Sequence, residues 1–148
     1  MTLLEKYYNK FNEDHRLSTR HGLVEFKTSL FYIEQAIDEI KKAINKQNNE
    51  IKILDDGAGT GKYSIELHNK GYDVTAVELV KRNLDVLRNK HLNIKTWQGD
   101  ARNLSFLEDN SFDITLIFGP LYHLHSEEDK LKVFSEATRI TKNNGIIL

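Results

Sequence analysis

Residues 51–64 read IKILDDGAGTGKYS and constrain the fold more than any other stretch of the chain. Ile51, Ile53 and Leu54 have the apolar, largely β-branched character of a buried strand. Asp55 and Asp56 end it, and Gly57, Gly59 and Gly61 then occupy alternate positions. Glycine lets the backbone turn at positive φ and leaves no Cβ between main chain and ligand. Thr60 is placed to start the following helix, whose free N–H groups and positive dipole end face the same space. A strand, a glycine loop and a helix in this order make a nucleotide-type binding site at the carboxyl edge of a parallel sheet.

Spacing narrows the ligand. A dinucleotide fingerprint, GxGxxG, needs glycine where the chain has Lys62. A phosphate-cradling P-loop, GxxxxGK[ST], needs glycine at Asp56 and Ser or Thr at Tyr63. Carboxylates just ahead of the glycines would also repel a phosphate, so a ligand with a cationic part and no phosphate fits better. The run LDDGAGTG resembles motif I, (V/L)(L/D)(D/E)xGxGxG, of class I S-adenosylmethionine-dependent methyltransferases. That resemblance implies that the loop of Gly57, Ala58, Gly59 and Gly61 approaches the amino-acid part of S-adenosylmethionine, with Asp55 helping to hold it.

Residues 73–79, DVTAVEL, read as a second strand with Glu78 near its end. A carboxylate about 20 residues past the glycine loop, at the tip of the neighbouring strand, is placed to accept from two ribose hydroxyls. Residues 94–98 form a third strand, followed by Gly99, Asp100 and Ala101. In the methyltransferase family a (D/N)(A/V) pair here meets the adenine, so the resemblance assigns Asp100 and Ala101 to it. It extends the cofactor set to Leu79 and Phe118. Residues 112–118, FDITLIF, are a fourth strand, apolar enough for the centre of a parallel sheet.

The segment after this strand, GPLYHLH, lies beside the first strand in a doubly wound sheet and so shares its rim. Tyr122, His123 and His125 are the candidate catalytic residues there. His123 and His125 would share a face if the segment were extended, and a His near neutral pKa can deprotonate an acceptor. His21 and Tyr8 are more distant candidates. Two His without neighbouring carboxylates do not make a metal site, and none is expected. A base is optional, since transfer from a sulfonium needs chiefly alignment and exclusion of water.

Around this core, Leu3, Leu4, Tyr7, Tyr8 and Phe11 suggest a short amphipathic helix, and residues 16–26 a loop. Residues 27–46 carry a stripe of Leu30, Ile33, Ile37, Ile40 and Ile44. Residues 1–46 are expected to form a helical cap and first packing helix, and residues 47–148 the cofactor-binding core of a single domain. The cap, with Arg16 and Arg20, would lie over the cofactor mouth, where Arg20 would meet the cofactor carboxylate. Helices are expected at residues 60–70 and 80–90. Residues 126–129 open a further helix with Leu131, Phe134, Ala137 and Ile140 on its buried side, and Asn143 to Gly145 form a turn before a fifth strand. The expected fold is a three-layer αβα sandwich, Rossmann-like, doubly wound and mostly parallel.

The stretches RHGLVEF, VELV and GPLYHLHSEEDK look most like a bacterial subfamily of small methyltransferases. The family orders seven strands 3-2-1-4-5-7-6. The sequence stops inside the expected strand five, short of strands six and seven, so either it is a fragment of a longer protein, completed by a partner or a second copy, or strand five is an apolar edge covered by a second copy or by the N-terminal segment. A non-catalytic module binding S-adenosylmethionine or its product S-adenosylhomocysteine is the alternative to an enzyme. An NAD or nucleotide-sugar enzyme is a third reading, against which Lys62 stands. Net charge is −1 with no basic block, and GPLY lacks the (D/N/S)PP(Y/F/W) of exocyclic-amine nucleic-acid methylases, so a small-molecule acceptor is expected rather than nucleic acid. No apolar run suits a membrane span, and the chain has no cysteine, which fits a cytoplasmic protein.

Overall fold

The computed structural model describes residues 18–148. The amphipathic pattern of Leu3 to Phe11, with Tyr8 and Arg16, lies outside the described residues. Helix α1 (Arg20–Ile44) starts seven residues before the expected helix, inside the expected loop. Its start is set by Thr19, whose Oγ1 accepts from the Gly22 N–H at 3.1 Å. Gly22, read as a loop residue, is buried in the first turn. Asn45 ends the helix in the left-handed region, its N–H donating to Lys41 O. Ile33, Ala36, Ile37 and Ile40 form the buried stripe, whereas Ile44 is exposed. Each isoleucine taken fully out of water contributes about 1.5–3 kcal/mol.

A 3-10 turn (Asn48–Glu50) leads into β1 (Lys52–Asp56), then α2 (Lys62–Asn69), β2 (Asp73–Glu78), α3 (Lys81–Arg88), β3 (Lys95–Gln98), β4 (Phe112–Leu116), α4 (Glu127–Ile140) and β5 (Thr141–Ile147). The strands form one sheet in the order β3-β2-β1-β4-β5 with every pair parallel. β1 is central: Ile53 faces Val74 of β2 on one side and Ile114 of β4 on the other. The chain winds outward from β1 to β3, then reverses to β4 and β5. The gap between the carboxyl ends of β1 and β4 is therefore the topological switch point, where open α/β sheets take their ligands.

One face of the sheet packs Ile53, Val74, Ala76 and Ile114 against α1 and α2. The other packs Leu54, Val77 and Phe112 against Leu104, Leu107 and Ile140. Helices on both faces of a parallel sheet give the expected three-layer architecture. Among the described residues β5 is one edge of the sheet.

Two local expectations at the C-terminal side are corrected. The buried side of α4 is Val133, Ala137 and Ile140, while Leu131 is 65% exposed and Phe134 is also exposed. Leu131 and Ile140 are nine residues apart, and at about 100° per residue they lie on opposite sides of the helix. Asn143 to Gly145 are not a turn before β5 but part of it. Phe112 pairs with Thr141 and Ile114 with Ile146, so β5 carries extra residues as a bulge. Gly145 sits where a Cβ would lie 2.8 Å from the Asp113 carbonyl oxygen, so only glycine allows that approach.

Candidate functional site

The two carboxylates at the end of β1 point to opposite faces of the sheet, as successive strand residues must. Asp55 turns toward α2. Its Oδ2 accepts from the Ser64 N–H at 3.1 Å and the Ser64 hydroxyl at 2.6 Å. The residue capping α2 is Gly61, not Thr60 as expected, and it has no side chain to satisfy the first N–H groups. Asp55 does this from the neighbouring strand. Burial pushes the Asp55 carboxyl up to about 6, with the two Ser64 bonds pulling it back.

Asp56 turns to the other face. It is 1% exposed, and its Oδ2 has no hydrogen-bond partner. Burial, then the charges of Asp55, Asp100, Glu78 and Glu136, push its carboxyl up to about 8. The sequence reads Asp56 as a strand end and as a charge unfavourable to phosphate, not as a buried carboxyl without a partner. The signal that was available is the doubled acid, since a buried strand end has use for a carboxylate only if something answers it.

The glycine turn crosses over to β2. Gly57, Gly59 and Gly61 have φ of +83°, +58° and +87°, a region that favours glycine. The N–H groups of Gly57 and Ala58 both donate to Val77 O, at 2.9 and 3.0 Å. The Gly59 N–H donates to Glu78 Oε2 at 2.8 Å, and the Val80 N–H to Oε1 at 2.7 Å. Glu78 is 7% exposed and thus ties the turn to the tip of β2. A Cβ on Gly57 would lie 2.4 Å from Pro120 Cδ, one on Gly61 2.3 Å from Leu87 Cδ1, and one on Gly119 2.9 Å from Gly57 O. The first and third show how tightly the β1 turn and the segment after β4 interlock.

Asp100 follows β3. Arg102 donates to it four times: from its backbone N–H and Nε to Oδ1, both at 3.0 Å, and from Nε and Nη2 to Oδ2, at 3.1 and 2.6 Å. These bonds, against burial, hold the Asp100 carboxyl below the usual range. Arg102 also reaches Asp129 on α4 at 2.9 Å. Ala101 is buried with Ile117, Val133 and Ala137. Leu79 is exposed, and its carbonyl accepts from Gln98 Nε2 at 3.1 Å. Phe118 lies 5.2 Å from the Tyr63 ring, which lies 5.1 Å from Phe26, an aromatic column that sequence reading missed because its members come from three elements.

The rim segment differs from the extended run expected of it. Pro120–His123 form a 3-10 turn, so strand-like alternation does not align His123 with His125. Tyr122 is 84% exposed, His125 is exposed and His123 is half-buried. Arg20 is exposed in the first turn of α1. Lys62 Nζ donates to Ser18 Oγ at 2.9 Å, which brings the start of α1 to the start of α2. Among the described residues no group of three or more His, Cys, Asp or Glu could hold a metal ion.

This geometry has counterparts. Residues 53–145 match the family model described as a methyltransferase domain. The chain belongs to the methyltransferase domain family. This methyltransferase chain is 31% identical over 108 residues to the glycine/sarcosine N-methyltransferase of Parasynechococcus marenigrum, covering 70% of the chain and 38% of that protein. It is 31% identical over 109 residues to the enzyme of the same name from Aphanothece halophytica, covering 70% and 41%. The chain spans about two-fifths of the length of these curated relatives. Among solved structures, the PH0226 protein of Pyrococcus horikoshii OT3 superposes on 96% of the methyltransferase chain and 64% of its own, with 25% identity and a TM-score of 0.67. A SAM-dependent methyltransferase from Methanosarcina mazei covers 66% and 50%, with 25% identity and a TM-score of 0.60.

Proposed function

We propose that this methyltransferase domain moves a methyl group from S-adenosylmethionine to an O, N or C atom of a small molecule. The observation that carries it is the Glu78 carboxylate bonded to the Gly59 N–H inside a turn of three positive-φ glycines, at the topological switch point. The cofactor carries a cationic sulfur, an amino-acid tail and a ribose, and no phosphate. The residues suit it: bare main chain at Gly57, Ala58, Gly59 and Gly61, one orphaned buried carboxyl at Asp56, and no lysine among the glycines. Glu78 accepts from the Gly59 and Val80 N–H groups, one on each oxygen, which fixes the carboxylate at the tip of β2. In this reading it also accepts from the ribose hydroxyls. In this reading Leu79, Asp100 and Ala101 hold the adenine, Arg20 reaches the cofactor carboxylate, and Asp55 acts at one remove by fixing α2 through Ser64.

When bound, the cofactor supplies a methyl group already activated by positive sulfur. The chain's residues then have to orient the acceptor, exclude water and, for some acceptors, take a proton. Phe26, Tyr63 and Phe118 offer an apolar wall for the second task. Tyr122, His123 and His125 are the residues proposed on the acceptor side. The relatives named glycine/sarcosine N-methyltransferase support a small acceptor. We place the protein in the cytoplasm; among the described residues no helix is long and apolar enough to cross a membrane. Pairing of a second copy along β5, an edge of the sheet among the described residues where Ile147 is exposed, is the oligomeric contact proposed.

A second reading is a module that binds the cofactor or its product without turnover. The exposure of Tyr122 and His125 favours it, because a base open to water has no closed site to act in. Calorimetric titration with S-adenosylmethionine and S-adenosylhomocysteine, followed by a methyl-transfer assay on a metabolite pool, separates the two. Turnover establishes the enzyme, and tight binding with no acceptor methylated establishes the module.

A further inference from the structure

Asp56 has an unanswered carboxyl oxygen beside the glycine turn. It sits on the sheet face of Leu54 and Val77, one residue before the glycine turn, 1% exposed and with Oδ2 unbonded. The charges that push its carboxyl up are those of Asp55 on β1, Asp100 after β3, Glu78 at the tip of β2 and Glu136 on α4. Two of these are already answered. Arg102 holds Asp100 at 2.6 Å, and Arg139 holds Glu136 at 2.9 Å. Asp55 is bonded to Ser64 on the opposite face. Among the described residues, no cation pairs with Asp56. An orphaned carboxyl in a ring of carboxylates has two ways to lower its free energy: keep its proton, or meet a positive charge.

Resting on the cofactor reading above, we propose that Asp56 is a charge-reading specificity residue: it holds a proton in the free protein and releases it when the sulfonium of S-adenosylmethionine is bound at the strand tips. The proton leaves the Asp56 carboxyl for solvent, and the resulting carboxylate and the cationic sulfur compensate each other. Once the methyl group has gone, the sulfur of the product is a neutral thioether, so Asp56 takes a proton back. The two ligands are otherwise alike, including their amino-acid tails. Asp56 therefore favours substrate over product by charge alone, and assists product release. The raised proton affinity that burial and its neighbours give Asp56 is the free-state half of this cycle.

The test is calorimetric titration of the full chain with S-adenosylmethionine and, separately, S-adenosylhomocysteine, near pH 7 in two buffers of different ionisation enthalpy. The difference in apparent heat counts protons released. About one proton is expected for S-adenosylmethionine and none for S-adenosylhomocysteine. Affinity for the former should rise by up to about tenfold per pH unit below about pH 8, while affinity for the latter stays level. Asp56→Asn should abolish the proton release and the pH dependence. Equal proton release for both ligands, or undiminished release in Asp56→Asn, overturns the proposal. Binding of S-adenosylmethionine with no proton released refutes the role of Asp56 and leaves the cofactor reading standing, whereas failure of either ligand to bind refutes both. If Asp56→Asn does not fold, the comparison of the two ligands on the natural chain decides.

Discussion

Replacing Gly57 by alanine tests whether the site is built on the contact between the β1 turn and the segment after β4. Two separate costs follow from the geometry. The first is backbone strain: at φ +83° an L-residue loses roughly 1–2 kcal/mol relative to glycine. The second is steric. The new Cβ would stand 2.4 Å from Pro120 Cδ and 2.8 Å from Cγ, where carbon atoms prefer about 3.5–4.0 Å. Overpacking of this kind costs about 1–3 kcal/mol. Gly57→Ala should thus destabilise by about 2–5 kcal/mol in all. Pro120→Ala removes both Cδ and Cγ and leaves only the backbone nitrogen, 3.3 Å from the new methyl. In the double variant the steric part should vanish and the backbone part persist. Urea unfolding of the four proteins measures this as a coupling of about 1–3 kcal/mol. Single effects that add to within about 0.5 kcal/mol would show that the two segments do not press on each other, and the close approach would be refuted.

Further outcomes follow from the same structure. Glu78→Gln replaces an acceptor with a donor facing the Gly59 or Val80 N–H, and should weaken S-adenosylmethionine binding by about 1–3 kcal/mol in titration; unchanged affinity would remove Glu78 from the ribose. Between roughly pH 4 and pH 8 folded Asp56 keeps a proton that the unfolded chain has shed, so stability should fall as pH rises, by at most about 1.4 kcal/mol per unit. Asp55 adds to that fall up to about pH 6, and Asp56→Asn should flatten the slope in denaturant titrations run across this range. Arg102→Met frees the acceptor sites of Asp100, so cofactor affinity should rise if Asp100 meets the adenine amine; a loss of affinity would assign the arginine itself to the ligand. Asp113 is raised by burial but held below the usual range overall by bonds from Lys142, the Lys52 N–H and Lys46. Its stabilisation is present above the unfolded pKa and lost as pH falls, and Asp113→Asn should cost about 1–3 kcal/mol at pH 7 but little in acid.

What the sequence disclosed and what it withheld divide along physical lines. The alternating glycines, the β-branched strands and the acid at the end of β2 are local signals, and β1, β2 and β4 lie where those signals put them. The pattern of α4 is ambiguous because the helix has apolar residues on both sides. Leu131 and Phe134 fit a helical stripe as well as Val133 does, and only packing on the sheet selects Val133, Ala137 and Ile140. Thr19 as a cap was obscured by Gly22, which counts as a breaker in sequence but is harmless in the first turn. The pairing of Asp55 with Ser64 and the column of Phe26, Tyr63 and Phe118 depend on how helices lie over strands. No local pattern carries that. The opposite fates of Asp55 and Asp56 follow from strand alternation, yet which face holds a partner is known only once the other elements are in place.

Helix α4 passes into β5 with no connecting residue. Thr141 is the C-cap of the helix and the first residue of the strand, and its Oγ1 is bonded to Ala137 O at 2.6 Å and to Thr115 Oγ1 at 2.7 Å. Arg139, two residues earlier, grips the carbonyls of Leu104 and Leu107, each at 2.9 Å. The junction is therefore a stiff elbow rather than a slack tether. A push on β5 would be felt at the segment that leads back to Asp100, so the strand has a mechanical hold on one wall of the crevice.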